Sequence, residues 1–371
     1  MKHLRTLAIL IAMLWGYTMA HAEKVEIDGI WYNLVSKAKQ AEVTSSDGTG
    51  YSGSITIPAT VTHNGVEYSV TSIGERAFSY CRSLTSITIP ESVTSIEASA
   101  FSDCSNLTSI TIPESVTSIE ASTFSDCSNL TSITIPESVI SIGRYAFSGC
   151  SSLTSITIPE SVTSIGYYAF NGCSSLTSIT IPNGVTSIEN YAFYKCSSLT
   201  SITIPEGVTS IGKCAFLRCS NLTSVSIPEG VTNIGERAFQ YCSSLTAIAI
   251  PESMTSIGDG AFGNCSSLAA IVLSKSIQNI GSGVFANCPE LTDVYCYSKE
   301  APKAAADAFD GSYPEYATLH VPTDALENYQ TATPWNSFGK IETFVAVEEV
   351  LISHSEAVLY EGQSLQLTAT V

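Results

Sequence analysis

The chain has 371 residues and carries 16 Lys and Arg against 34 Asp and Glu, a formal net charge of −18. A surface this acidic repels nucleic acid and anionic membrane, so neither is an expected partner. Only 13% of the residues are charged while Ser and Thr abound, so the surface has to be built largely from hydroxyls.

Residues 1–22 read as a signal peptide. Lys2 and Arg5 give a basic start, Leu7 to Trp15 an apolar run, and Ala20-His21-Ala22 an A-x-A cleavage site. The apolar run is short for a bilayer span, and no later stretch approaches about 18 apolar residues. The expected product is exported, without a lipid anchor and without membrane insertion after cleavage. Cleavage removes two of the 16 basic residues and none of the 34 acidic ones, which takes the net charge to about −20.

Residues 23–70 read as an N-terminal cap and a first irregular turn. Val25 to Leu34 has the pattern of a hairpin, and His63-Asn64-Gly65-Val66 carries the Asn-Gly hairpin signal. From 71 to 297 the chain is periodic. Cys81, Cys104, Cys127, Cys150, Cys173, Cys196, Cys219, Cys242, Cys265 and Cys288 stand 23 residues apart, and the residues around them repeat as well. A fixed period of this size marks a solenoid.

In the turn from Leu153 to Cys173, Leu153, Ile156 and Ile158 form an L-x-x-L-x-L stem. Ile156 and Ile158 lie on one face of a strand and Ser155 and Thr157 on the other. Pro159 ends the strand. Val162, Ile165, Ala169, Phe170 and Cys173 complete the inward set. One turn's apolar burial does not offset the ordering of its backbone, about 1–2 kcal/mol per residue, so turns must stack. Eleven or so turns at about 4.8 Å each give an α/β repeat solenoid. The expected form is a curved leucine-rich-repeat rod with a parallel sheet on its concave face and short turns or helical turns on its convex face.

Residues 298–343 read as the last turn and C-terminal cap, with a strand from Ala317 to Pro322 and bulky aromatics in Ala325–Tyr329 and Trp335–Phe338. Residues 344–371 alternate apolar and polar around a Glu-Gly turn, too short for a β-sandwich of about 100 residues.

The motif Leu-Thr-Ser-Ile-Thr-Ile-Pro-x-x-Val-x-x-Ile-x-x-x-Ala-Phe-x-x-Cys resembles the BspA-type leucine-rich repeat of bacterial surface proteins, over about residues 25–342. The resemblance implies an exported or cell-surface protein, with several relatives acting as adhesins for host matrix proteins or other cells. Residues 344–371 resemble the start of a bacterial Ig-like domain of the second group, which implies either that this chain is a fragment of a longer one, the favoured reading, or that the domain is vestigial.

Four sets of residues are candidates for chemistry. The cysteine column reads as buried thiols, as vertical disulfides of an exported protein, or as a metal site, which the missing C-x-x-C and the histidine-free repeats disfavour. Cys296 aligns with Ile158 and is expected buried. Cys214 aligns with Tyr168 and Tyr191, off the inward set, and is expected to be an exposed thiol. A column of glutamates, Glu91, Glu114, Glu137, Glu160, Glu206, Glu229 and Glu252, reads as a solvated edge or a calcium-bridged one.

The strand-face hydroxyls, Ser109, Thr111, Ser132, Thr134, Ser155, Thr157, Ser178 and Thr180, read as a passive sheet with mutually bonded hydroxyls or as a glycan or peptide groove. Between the Ile-Gly pair and the cysteine the turns differ freely. Arg144, Tyr145, Tyr167, Tyr168, Tyr191, Tyr194, Lys195, Arg218 and Arg237 are the candidate partner-binding residues there, because interfaces favour Tyr and Arg. Neutral drift at exposed positions is the other reading of that strip.

No G-x-S-x-G, H-E-x-x-H, P-loop or dinucleotide fingerprint occurs. The expected function is a non-catalytic adhesin or protein-interaction module without cofactor or catalytic residues, binding an extracellular protein of host matrix or another cell. The alternatives are a glycan-binding accessory protein using the concave Ser/Thr sheet, or a spacer for a downstream Ig-like domain.

Overall fold

The computed structural model describes residues 22–48 and 50–345. The expected signal peptide lies outside the described residues but for Ala22, and the expected Ig-like segment but for Phe344 and Val345. Between them the chain winds as a solenoid of parallel strands in 23-residue register: Ser132 pairs with Ser109, Ser201 with Ser178, and Ser224 with Ser201. Alternation sorts each strand as the sequence predicts. Ile156 and Ile158 are buried, and Ser155 and Thr157 face solvent.

A second parallel ladder, which the sequence reading misses, follows the proline. Ser118–Ile119 pairs with Ser141–Ile142, and that pair with Ser164–Ile165. Each strand is two residues long, below the length at which alternation is visible. The rest of each turn, from Ala to Cys, is a run of bends with no helix; among the described residues helix occurs only from Pro314 onward, in pieces such as Leu326–Thr331. The repeats are therefore built from strands and short turns. Of the two expected forms of the convex face, short turns occur here and helical turns do not, so the α of the expected α/β class has no counterpart in the repeats.

These bends are held to one another by backbone. The amides of Tyr145, Phe147 and Gly149 donate to the carbonyls of Tyr167, Ala169 and Asn171 in the next turn, at 2.9, 2.8 and 2.7 Å. The same three bonds recur turn after turn, all pointing toward the C-terminus. A stretch without strand or helix thus satisfies its polar groups between turns.

Inside, a phenylalanine column runs from Phe78 to Phe309. Adjacent rings are stacked with centroids 5.0–5.8 Å apart. Beside it runs the cysteine column, as thiols, each from Cys104 onward donating to the carbonyl of the Phe one turn back: Cys127 to Phe101 at 3.2 Å, Cys150 to Phe124 at 3.1 Å, Cys173 to Phe147 at 3.2 Å. That carbonyl also accepts the amide of the cysteine in its own turn, as Phe101 does from Cys104 at 3.2 Å. A thiol is small enough for the gap and supplies a weak donor where an alanine would supply none. Burial pushes these thiols up, to about 11 at Cys288 and about 12 at Cys196 and Cys242, and well above their ordinary range at Cys150 and Cys173.

Both ends of the phenylalanine column meet aromatic side chains. Tyr51 packs on Phe78 at 4.6 Å, and Trp335 and Phe338 meet Phe309 edge-on at 5.6 and 5.2 Å. Near the N-terminus, Glu23–Ile27 and Ile30–Val35 form an antiparallel hairpin across Asp28-Gly29, and Thr60–His63 and Val66–Ile73 another across Asn64-Gly65. All four turn residues have positive φ, as a two-residue hairpin requires. Near the other end, Thr318–Pro322 forms the expected strand. It is followed by one the sequence reading misses, Lys340–Phe344, parallel to it. Cys296 is fully buried, as its alignment predicts, and receives the Tyr329 hydroxyl at 3.1 Å.

Candidate functional site

Each turn carries two residues in the left-handed region, four apart. One column runs Arg76, Ser99, Ser122, Tyr145, Tyr168, Tyr191, Cys214, Arg237, Gly260, Gly283. The other runs Tyr80, Asp103, Asp126, Gly149, Gly172, Lys195, Arg218, Tyr241, Asn264, Asn287, with φ in both between 54° and 75°. A residue with a Cβ gives up roughly 1–2 kcal/mol there, from which Gly and, in part, Asn and Asp escape. Tyr, Lys and Arg do not escape it. The middle turns nevertheless place them on these columns, and they are the residues that the sequence singles out.

The structure brings most of the candidate residues together. Tyr145, Tyr168 and Tyr191 stack with centroids 4.7 and 4.4 Å apart, and Tyr194 meets Tyr191 edge-on at 5.8 Å. The Arg144 guanidinium lies 5.0 Å over the Tyr145 ring, and Lys195 Nζ 5.0 Å over the Tyr194 ring. The three stacked tyrosines are half-buried, while Tyr167 is 47% exposed and lines a shallow depression with Arg144 and Glu189. Arg218 sits 5.5 Å over the ring of Tyr241, a variable residue that the 23-residue alignment places in column with Lys195 and Arg218. Arg237 stands apart: it shares Glu236 with Lys213, at 3.4 and 2.6 Å. The hydrogen bond from Lys213 holds the Glu236 carboxyl below its usual range.

Cys214 corrects an expectation. It is 2% exposed, although it stands in the tyrosine column. Its side chain is far shorter than those of Tyr191 one turn before and Arg237 one turn after, and it is sheltered between them. The Tyr191 hydroxyl donates to its sulfur, which, with burial, pushes Tyr191 up to about 12.

The strand-face hydroxyls also depart from expectation. Ser132, Thr134, Ser155, Thr157, Ser178 and Thr180 are exposed and make no hydrogen bond to protein among the described residues. Hydroxyl ladders occur elsewhere and run to backbone, as from Thr177 to the Thr154 carbonyl at 3.3 Å and from Ser220 to the Ser197 carbonyl at 3.4 Å. These in-register strands aim identical side chains outward in parallel rather than at one another; where the register shifts in the first pair, Ser86 does donate to Ser54 Oγ, at 2.8 Å. Glutamates of the acidic column bond the next turn's amides: Glu160 accepts from Asn183 N at 3.2 Å and Glu229 from Glu252 N at 3.1 Å.

Among the described residues no helix is long and apolar enough to cross a membrane. No curated protein matches the chain. A leucine-rich repeat protein from Bacteroides ovatus ATCC 8483 is 30% identical, with a TM-score of 0.71 over 85% of this chain and 88% of its own. A leucine rich cell surface protein from Faecalibacterium prausnitzii A2-165 is 29% identical over 87% of this chain and 95% of its own, with a TM-score of 0.48. The model of the BspA type leucine rich repeat region matches residues 54–174, 124–242 and 186–314. Those segments overlap into a run covering most of the solenoid, and by that match the chain belongs to the BspA-type leucine-rich-repeat family.

Proposed function

We propose that this protein is an exported, non-catalytic adhesin whose partner is an extracellular protein, bound by the aromatic and cationic strip on the turn face. The stacked column of Tyr145, Tyr168 and Tyr191 carries the reading. Three large aromatic side chains are held half-exposed at consecutive left-handed positions that other turns fill with Ser, Gly, Arg or Cys. Stacked rings lose little further conformational entropy on binding, and preorganised Tyr and Arg are the side chains that carry binding energy at interfaces. Family membership supports the surface location. The aromatic groups against Phe78 and Phe309 act as caps that keep the column ends dry.

A panel of immobilised extracellular matrix proteins tests the reading. At least one should bind the wild type. The triple variant Tyr145→Asn, Tyr168→Asn, Tyr191→Asn should bind that protein at least tenfold more weakly, with its melting temperature nearly unchanged because Asn tolerates the left-handed region. Unchanged affinity in the folded variant contradicts the assignment.

A further inference from the structure

Beside the second left-handed column lies an open groove of about 480 Å³, walled on one side by Lys195, Arg218 and Tyr241 and on the other by the serine column from Ser174 to Ser243. One observation sets it apart, and two more describe what it offers a ligand. In this left-handed column most turns carry Gly, Asn or Asp, the residues suited to it. Apart from Tyr80 near the N-terminus, the unsuited residues are Lys195, Arg218 and Tyr241, in three consecutive turns, and these three line the groove. Backbone strain retained at consecutive positions on a surface points to use rather than to folding.

Second, Lys195 and Arg218 are exposed in a strongly acidic protein and have no acidic partner among the described residues. Lys213, Arg237 and Arg82, by contrast, each have one. Third, the serine wall is oriented. Ser197, Ser220 and Ser243 donate to the carbonyls of Ser174, Ser197 and Ser220 at 3.4, 3.4 and 3.1 Å. Their hydroxyl protons are spent, and each Oγ presents lone pairs to the groove. The carbonyls also take the next turn's amides, from Ser198, Asn221 and Ser244.

Cations on one wall and acceptor oxygens on the other, repeating every turn, fit a ligand that carries acid groups and many hydroxyl donors. With its backbone already paired, the groove has no free edge along which a peptide could add as a strand. We infer that it binds an acidic glycan. The sugar's carboxylate or sulfate pairs with Lys195 and Arg218, its hydroxyls donate to the serine oxygens, and a ring packs on Tyr241. This site adjoins the tyrosine stack through Tyr194, which packs against Tyr191 and lies under Lys195, and none of its lining residues belongs to the stack.

Calorimetric titration with oligogalacturonate and with dextran sulfate oligomers, against neutral dextran and polyglutamate, tests the inference. The expected result is binding of at least one acidic oligosaccharide that weakens as salt rises, with neither neutral dextran nor polyglutamate binding comparably. Lys195→Gly with Arg218→Gly, which copies the residue present at Gly149 and Gly172, should lower the affinity at least tenfold without lowering the melting temperature. The Tyr145→Asn, Tyr168→Asn double variant, which keeps Tyr191 against Tyr194, should bind the oligosaccharide as the wild type does. Failure of both acidic oligosaccharides to bind overturns the inference. So does equal binding of neutral dextran or polyglutamate, or unchanged affinity in the glycine double variant.

Discussion

Cys214 shows how one side chain's surroundings decide its chemistry. Its column position, shared with Tyr145, Tyr168 and Tyr191, reads as exposed in the sequence, yet the longer neighbours shelter the sulfur and Tyr191 donates to it. The turn-to-turn contrast in side-chain length is the signal that would have shown it, because a short residue between two long ones in a stacked column is covered by them. Burial raises the Cys214 thiol, and the Tyr191 hydrogen bond and the cations of Lys213 and Arg237 offset part of that. Native protein is thus expected to react slowly with a thiol reagent at all twelve cysteines. Tyr191→Ala should open one site to fast reaction, which mass spectrometry should map to Cys214. Fast labelling of Cys214 in the unsubstituted protein would contradict the sheltering.

At the scale of one turn, the apolar columns and the stem strand are legible because they recur in every period, and repetition averages out the ambiguity of a single short run. The two-residue strands such as Ser164–Ile165 are not, since alternation needs more residues than they have. The left-handed columns are hidden for another reason. Positive φ is signalled by Gly, Asn and Asp, whereas Tyr145, Tyr168, Lys195 and Arg218 are types that seldom adopt it. The variability of these positions is therefore legible in the sequence, but not their strain, their stacking or the serine wall opposite Lys195 and Arg218.

The phenylalanine column sets what a turn can lose. Phe170 is fully buried between Phe147 and Phe193, at 5.4 and 5.5 Å. Phe170→Ala should cost about 3–5 kcal/mol, read as a lower urea midpoint. Hydrogen exchange should speed up first in the flanking turns, because a solenoid turn contacts only its neighbours. Thr157→Ala, on the solvent side of the adjoining strand, should change stability by less than about 0.5 kcal/mol. Equal effects of the two would contradict the packing.

Over the whole molecule the thiol column ties stability to pH. A folded thiol whose pKa is raised keeps its proton while the unfolded thiol begins to lose it near pH 8.5. Stability is thus fully present below that pH and falls as pH rises toward the folded values, about 11 at Cys288 and about 12 at Cys196 and Cys242. Each thiol removes about 1.4 kcal/mol per pH unit in that window. The melting temperature should drop steeply between pH 8 and pH 10, and Cys173→Ala should soften the slope. A flat profile would mean that the column is not made of thiols.

The scaffold so built is uniform inside and, from Ser109 to Thr203, on its strand face, and it varies on the strip of turns that carries Tyr145, Tyr168 and Tyr191. That this strip, and not the strand face, meets the partner is tested most directly by placing a photo-crosslinking phenylalanine analogue at position 168 or at position 157. Illumination in the presence of the bound matrix protein should yield a covalent adduct from position 168 and none from position 157. An adduct from 157 alone would contradict the account.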